Sequence, residues 1–146
     1  MKEDKIQAFF DSNIIIDALT GRDNSFFSSR LFKLVAYEHI DGFIASKQLT
    51  DIAYVLKKYH FNNQEIKALI KSLCDMFTVL PTFGSDITYV LGSNMFFDLE
   101  DELIDEIAHV NCVKYLVTNN KKDFEGSRNI IFTPKEMVTL YDATIL

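Results

Sequence analysis

Ala8-Phe9-Phe10-Asp11-Ser12-Asn13-Ile14-Ile15-Ile16-Asp17 is an apolar run that meets a carboxylate, turns through two small polar residues and becomes apolar again. Three or four apolar residues stopped by a polar turn read as a buried strand, here Ile6 to Phe10. Asn13 followed by Ile14, Ile15, Ala18 and Leu19 reads as the start of a helix. Asp11 then lies at the carboxyl end of a strand. Open parallel α/β sheets form their ligand crevices there, because strand ends and helix starts leave a gap lined by loops. The competing reading is a solvated loop carboxylate beside an ordinary Asn13 N-cap.

The same alternation repeats along the chain. The Gly21-Arg22-Asp23-Asn24-Ser25 cluster breaks the pattern and offers Asn24 or Ser25 as a cap. Phe27, Leu31, Leu34 and Val35 then mark a helix that ends at Asp41-Gly42. Phe43-Ile44-Ala45 predicts a second strand, with Ser46 capping a helix through Leu49, Ile52, Ala53, Leu56 and Tyr59. An amphipathic helix follows the Asn62-Asn63 break, and Thr78-Val79-Leu80, stopped by Pro81, predicts a third strand. Ser85 can cap a short helix through Leu91. Leu99, Leu103, Ile107 and Val110 form the expected buried stripe of the next helix. Tyr115-Leu116-Val117 and Ile130-Ile131-Phe132 complete five strands, with Pro134 in the first turn of a last helix. Strands alternating with helices imply a parallel sheet covered on both faces.

At 146 residues the chain fits one domain, 1–146, able to bury most of its apolar surface in one core. Thirteen Phe against two Pro and five Gly argue against disorder. No apolar run is long enough to span a bilayer, and Met1-Lys2-Glu3-Asp4-Lys5 lacks the apolar core of a signal peptide. The expectation is therefore a cytoplasmic protein without membrane contact. Cys74 and Cys112 have no partner at metal-ligand spacing and read as small buried hydrophobes in a reducing compartment. A net charge of −6 is not that of a basic duplex-binding module.

Polar residues recur at the predicted strand ends: Asp11, Ser46, and Asn119 with Asn120. Asp98 and Asp101, three residues apart at a helix start, share a face, and Asp105 lies one turn further along it. Asp98 equally suits an N-cap, while Glu100, Glu102 and Glu106 are expected on the solvent side. If Asp11 and Asp101 approach within about 4 Å, their repulsion costs on the order of 4 kcal/mol at an effective dielectric near 20. A hard divalent cation offsets that repulsion, since Mg²⁺ or Mn²⁺ takes oxygen ligands and uses only one or two carboxylates directly. Setting aside Asp11, Asp51, Asp98, Asp101 and Asp123 as site acids removes most of the formal charge of −6, so acidity does not exclude a phosphodiester substrate.

Three segments in order, Phe10 to Asp17, Asp98-Leu99-Glu100-Asp101-Glu102-Leu103-Ile104, and Leu116-Val117-Thr118-Asn119-Asn120-Lys121-Lys122-Asp123-Phe124, resemble those of the PIN domain. The likeness is to the small VapC-like toxins of bacterial and archaeal toxin–antitoxin pairs and runs nearly end to end. It implies a three-layer α/β/α sandwich around a central, mostly parallel five-stranded sheet. It also implies an endoribonuclease dependent on Mg²⁺ or Mn²⁺, with Asp11 and Asp101 as principal metal ligands and Asp98 beside them. Asp123 would be a further site acid, and Asn13, Ser46 and Asn120 would be supporting residues. A cognate antitoxin and a homodimer are the partners it implies, with RNA as substrate. Two positions depart from the family. Asp51 stands where relatives usually have Glu, shorter by one methylene, and Asn119 or Asn120 stands where they often have an acid.

Lys47 and Arg22, with Lys57, Lys58 and Arg128 behind them, are candidates for contacting an RNA backbone. Aspartyl phosphoryl transfer is disfavoured, because haloacid-dehalogenase-like phosphatases need an Asp two residues after the first and this chain has Asn13. The non-enzymatic alternative is a nuclease-like module that binds RNA or a protein without turnover, favoured by Asp51 and the two Asn residues.

Overall fold

The computed structural model describes residues 4–22, 25–93 and 98–145. The Asp23-Asn24 part of the first predicted break, and the residues 94–97 that precede the acidic segment, lie outside the described residues. The elements run β1 (Gln7–Phe10), α1 (Ser12–Thr20), α2 (Ser25–Ala36), β2 (Asp41–Ala45), α3 (Ser46–Lys58), α4 (Asn63–Met76) and β3 (Thr78–Leu80). They continue as α5 (Gly84–Leu91), α6 (Leu99–Val110), β4 (Tyr115–Val117), a turn of 3-10 helix (Lys121–Phe124), β5 (Ile130–Phe132) and α7 (Pro134–Thr144).

All four strand pairings are parallel, in the order β3-β2-β1-β4-β5. Successive residues of β1 point to opposite faces. Ala8 and Phe10 enter a core with α1, α2, α3, α4 and α7, whereas Phe9 joins Val90 of α5, Leu103, Ile104 and Ile107 of α6, and Leu116. The result is the expected α/β/α sandwich. From β1 the chain builds outward to β2 and β3, then returns to the other side of β1 for β4 and β5. The connections leaving β1 and β4 therefore diverge, and a crevice opens at the carboxyl ends of these two central strands.

Several local expectations change in the structure. Asp41 and Gly42 belong to β2, pairing with Gln7 and Ala8, and do not form a loop. A Cβ on Gly42 would lie 2.7 Å from the Phe77 ring and 2.9 Å from Val35, so glycine here lets the sheet and that ring close together. Gly21 ends α1 with φ +66°, donating its N–H to the Asp17 carbonyl at 2.9 Å. Leu99 and Val110, at the two ends of α6, are exposed, and its buried stripe is Leu103, Ile104, Ile107 and Ala108. On α5 only Asp86 and Val90 are buried, and Asp86 rather than Ser85 serves the helix start, accepting from the Phe83 N–H at 2.8 Å. Cys74 and Cys112 are both exposed free thiols, contrary to the buried reading. Cys112 sits just past α6 at φ +59°, in the chain reversal that leads to β4, and so cannot follow the helix's buried face. Among the described residues no helix is long and apolar enough to cross a membrane.

Candidate active site

Asp11 caps α1 at the point where β1 ends; its N–H donates to the Val117 carbonyl at 2.9 Å, which ties it to the end of β4. The next residue of that connection, Thr118, is fully buried, and its Oγ1 donates to Asp11 Oδ2 at 2.9 Å. Thr118 Oγ1 also accepts from the Asn120 N–H at 3.1 Å, so one hydroxyl fixes both the carboxylate and the loop beyond it. Burial pushes the Asp11 carboxyl above its ordinary value; the Thr118 hydroxyl and the Ser12 and Asn13 amides oppose the shift, and Asp123 adds to it.

These residues line a cleft of about 360 Å³ that also receives Asp98, Glu100 and Asp101 from α6 and its entry, Lys47, Gln48 and Asp51 from α3, and Asn119, Asn120 and Asp123. Asp98 is the N-cap of α6, its Oδ1 accepting from the N–H groups of Glu100 at 2.8 Å and Asp101 at 3.1 Å. Asp98 therefore caps α6 and lines the cleft at once. Asp101, half-buried on the first turn, is raised from 3.8 to about 7 by desolvation, then by the neighbouring charges of Asp11, Asp98, Asp123 and Glu100. Asp123, on the 3-10 turn, accepts from Asn120 Nδ2 at 2.6 Å. Lys47, the one cation lining the cleft among the described residues, reaches Asp51 at 3.5 Å and Glu100 at 3.9 Å.

Behind this face runs a second layer that the sequence did not disclose. Gln48, buried on the first turn of α3, accepts from the Ala45 N–H at 2.7 Å and donates to the Phe10 carbonyl at 2.9 Å and Ser12 Oγ at 3.1 Å. It locks the end of β1 to the end of β2. Ser46, expected to orient the acids, does not line the cleft; its hydroxyl meets Thr82 at 3.4 Å, and Gln48 occupies the inward position instead. The helix period is the reason, since Ser46 and Gln48 are about 200° apart around α3. A Gln three residues after an apolar strand was the available signal for this lock. Asp17 is buried, with Asn119 Nδ2 donating to its Oδ2 at 2.7 Å and Arg22 hydrogen-bonding its Oδ1. Arg22 also donates to Asn13 Oδ1 at 3.0 Å, so Asp17 braces two amides of the cleft, one of them through Arg22.

Other acids of α6 lie elsewhere. Asp105 turns away from the cleft and accepts from Ser127 and from Asn129 Nδ2, the latter at 2.7 Å. Glu102 and Glu106, expected in solvent, are buried, because α6 packs on the 3-10 turn and on the loop before β5. Glu106 pairs with Arg128, which lies outside the cleft with its guanidinium 5.5 Å from the Tyr89 ring.

The donor set at the cleft is entirely oxygen, which matches a hard divalent cation. Among the described residues no three His, Cys, Asp or Glu side chains close into a ready cage. Asp11 and Asp101, with Asp98 beside them, are the carboxylates here that could hold a divalent cation.

The fold has counterparts in solved structures. A toxin–antitoxin complex from Klebsiella pneumoniae matches with a TM-score of 0.63 and 26% identity over 87% of this chain and 97% of that one. VapBC2 from Rickettsia felis, bound to a DNA fragment from its promoter, matches at 0.63 and 18%, over 87% and 98% of the two chains. PAE2754 from Pyrobaculum aerophilum matches at 0.61 and 14%, over 94% and 96%. No curated protein sequence matches the chain. The family model described as PIN domain matches residues 7–122, a span from β1 into the 3-10 turn that contains Asp11, Asp51, Asp98, Glu100 and Asp101 and stops one residue short of Asp123, and the chain belongs to the PIN domain family.

Proposed function

We propose that the protein is a metal-dependent endoribonuclease, the toxin of a type II toxin–antitoxin pair acting in the cytoplasm. The single observation that carries the chemistry is the crowding of Asp11, Asp98, Asp101 and Asp123 around one cleft, where burial first and then its neighbours' charge raise Asp101 to about 7. Crowding of this kind favours a divalent cation, and PIN domain toxins are generally nucleases that use such ions. A bound cation supplies acidification of water and neutralisation of charge on a phosphoryl oxygen.

The chain's own residues do the rest. Thr118 keeps Asp11 aimed into the cleft, and the α6 cap keeps Asp98 and Asp101 in register with it. Lys47 can leave Asp51 and Glu100 to meet a substrate phosphate, so that its charge serves the acids first and the phosphodiester afterwards. Asn119 and Asn13, held by Asp17 and Arg22, present fixed amides at the rim. An antitoxin partner is suggested by the toxin–antitoxin complexes among the structural neighbours. A homodimer is part of the same proposal.

The test is a thermal melt with Mn²⁺ titrated into the purified protein, followed by incubation of the loaded protein with RNA. A ligand bound only by the native state raises stability, so the midpoint rises with Mn²⁺ and RNA fragments appear. A rise without fragments supports instead a binding module without turnover. No rise and no fragments overturns both.

A further inference from the structure

The outer surface of α3 continues the cleft away from the acids. Asp51 and Val55 line the cleft, and around the helix Lys47, Tyr54 and Lys58 fall within about 60° of Asp51. Lys58 lies about 10 Å further along the axis than Asp51. Tyr54 is 62% exposed, a large ring for a helix to leave in water, and the Lys58 ammonium stands 4.6 Å from its centroid. Tyr59, the residue after the last turn of α3, is also exposed. An exposed ring and the cation over it thus follow the cleft-lining face of α3 in a chain whose net charge is −6.

We infer that this strip is the entry path of a single-stranded RNA, with a base stacked on Tyr54 and a neighbouring phosphate on Lys58. The inference rests on the ribonuclease reading above and adds where the substrate lies outside the cleft. Exposed rings interleaved with cations are how proteins hold single strands without reading sequence, since every base has a face to stack. Charge complementarity selects the occupant. The crowded acids of the cleft repel phosphate until they are neutralised, whereas Lys58 at the far end of the strip attracts it. Lys58 over the ring holds Tyr54 in place, which lowers the entropy lost on stacking.

The test measures binding of a labelled single-stranded oligoribonucleotide by fluorescence anisotropy, in chelator and again with Mn²⁺, for wild type, Tyr54→Ala, Tyr54→Phe and Lys58→Ala. Tyr54→Ala should weaken binding about 5- to 150-fold, the range for losing one stacked base, while Tyr54→Phe stays near wild type. Lys58→Ala should lower the slope of log affinity against log salt by about 0.7, the loss of one phosphate contact on a single strand. Mn²⁺ affinity should be unchanged in all three, since none touches the acids. If wild type binds RNA and Tyr54→Ala and Lys58→Ala bind equally well with an equal salt slope, the path is wrong while the ribonuclease reading stands. If the two variants instead keep RNA and lose a co-purified partner protein, the strip is a protein-docking surface and the inference is overturned. A wild type that neither binds nor cleaves RNA overturns both.

Discussion

Thr118 Oγ1 donates a 2.9 Å hydrogen bond to Asp11 Oδ2 across the gap between β4 and β1. The bond joins residues 107 positions apart in sequence, at the point where the sheet order reverses. Thr118→Val keeps the side-chain shape and removes the hydroxyl. It leaves the Asn120 N–H without its acceptor and Asp11 without its side-chain donor. Stability should fall by about 1–3 kcal/mol in urea unfolding, the cost of stranding a buried polar group. Mn²⁺ affinity should fall about 10- to 100-fold, as when a metal ligand loses its orienting partner.

Asp101 makes the metal-free protein less stable as pH rises. Its carboxyl titrates near 3.8 in the unfolded chain and at about 7 when folded. Between those values the folded state holds a proton that the unfolded state has released, so stability is fullest below about 4 and is lost as pH climbs through 7. Asp11, also raised, acts in the same direction. Glu136 is lowered and works oppositely, but its window lies below its ordinary value of 4.5. Urea midpoints of the metal-free protein should therefore decline from pH 5 to pH 8, and Asp101→Asn should flatten the decline.

Gln48 is the hinge pin between β1 and β2. Gln48→Met preserves volume but strands the buried Phe10 carbonyl and Ala45 N–H, so the loss should be about 2–5 kcal/mol by urea unfolding. A loss below about 1 kcal/mol would remove Gln48 from that role.

The fold was legible because hydrophobic runs and their breaks carry it: all five strands stand where the apolar triplets Phe43-Ile44-Ala45, Thr78-Val79-Leu80, Tyr115-Leu116-Val117 and Ile130-Ile131-Phe132 and the Ile6 to Phe10 run predict them. The cleft acids were legible because strand ends and a helix start bring them together. Gln48 and Thr118 were not, since a neutral side chain looks the same in a list of residues whether it is solvated or pinned to a distant carbonyl. Glu102 and Glu106 misled for a related reason. An acid on a helix reads as solvent-facing until what packs over it is known, which for Glu106 is the loop carrying Arg128. Ser46 gave way to Gln48 through helical phase, which a two-residue step reverses.

Asp51 is placed at the cleft with Lys47 at 3.5 Å, and its reach is shorter by one methylene than the Glu the family usually has there. Asp51→Glu should preserve or raise the cleavage rate, because a misplacement of about 1 Å can cost on the order of a hundredfold. Asp51→Ala should lower both Mn²⁺ affinity and rate. Parallel titrations and cleavage assays check the pair, and unchanged values in both variants would take Asp51 out of the site.

The central claim, that the crowded carboxylates of the cleft hold a divalent cation for RNA cleavage, is tested most directly by the rate of RNA cleavage in Mn²⁺ for wild type, Asp11→Asn and Asp101→Asn. The asparagines keep volume and remove the charge that holds the ion. Wild type should cleave and lose cleavage in chelator, while each variant stays folded and cleaves at no more than background. Cleavage by either variant at the wild-type rate under the same Mn²⁺ concentration would contradict the claim.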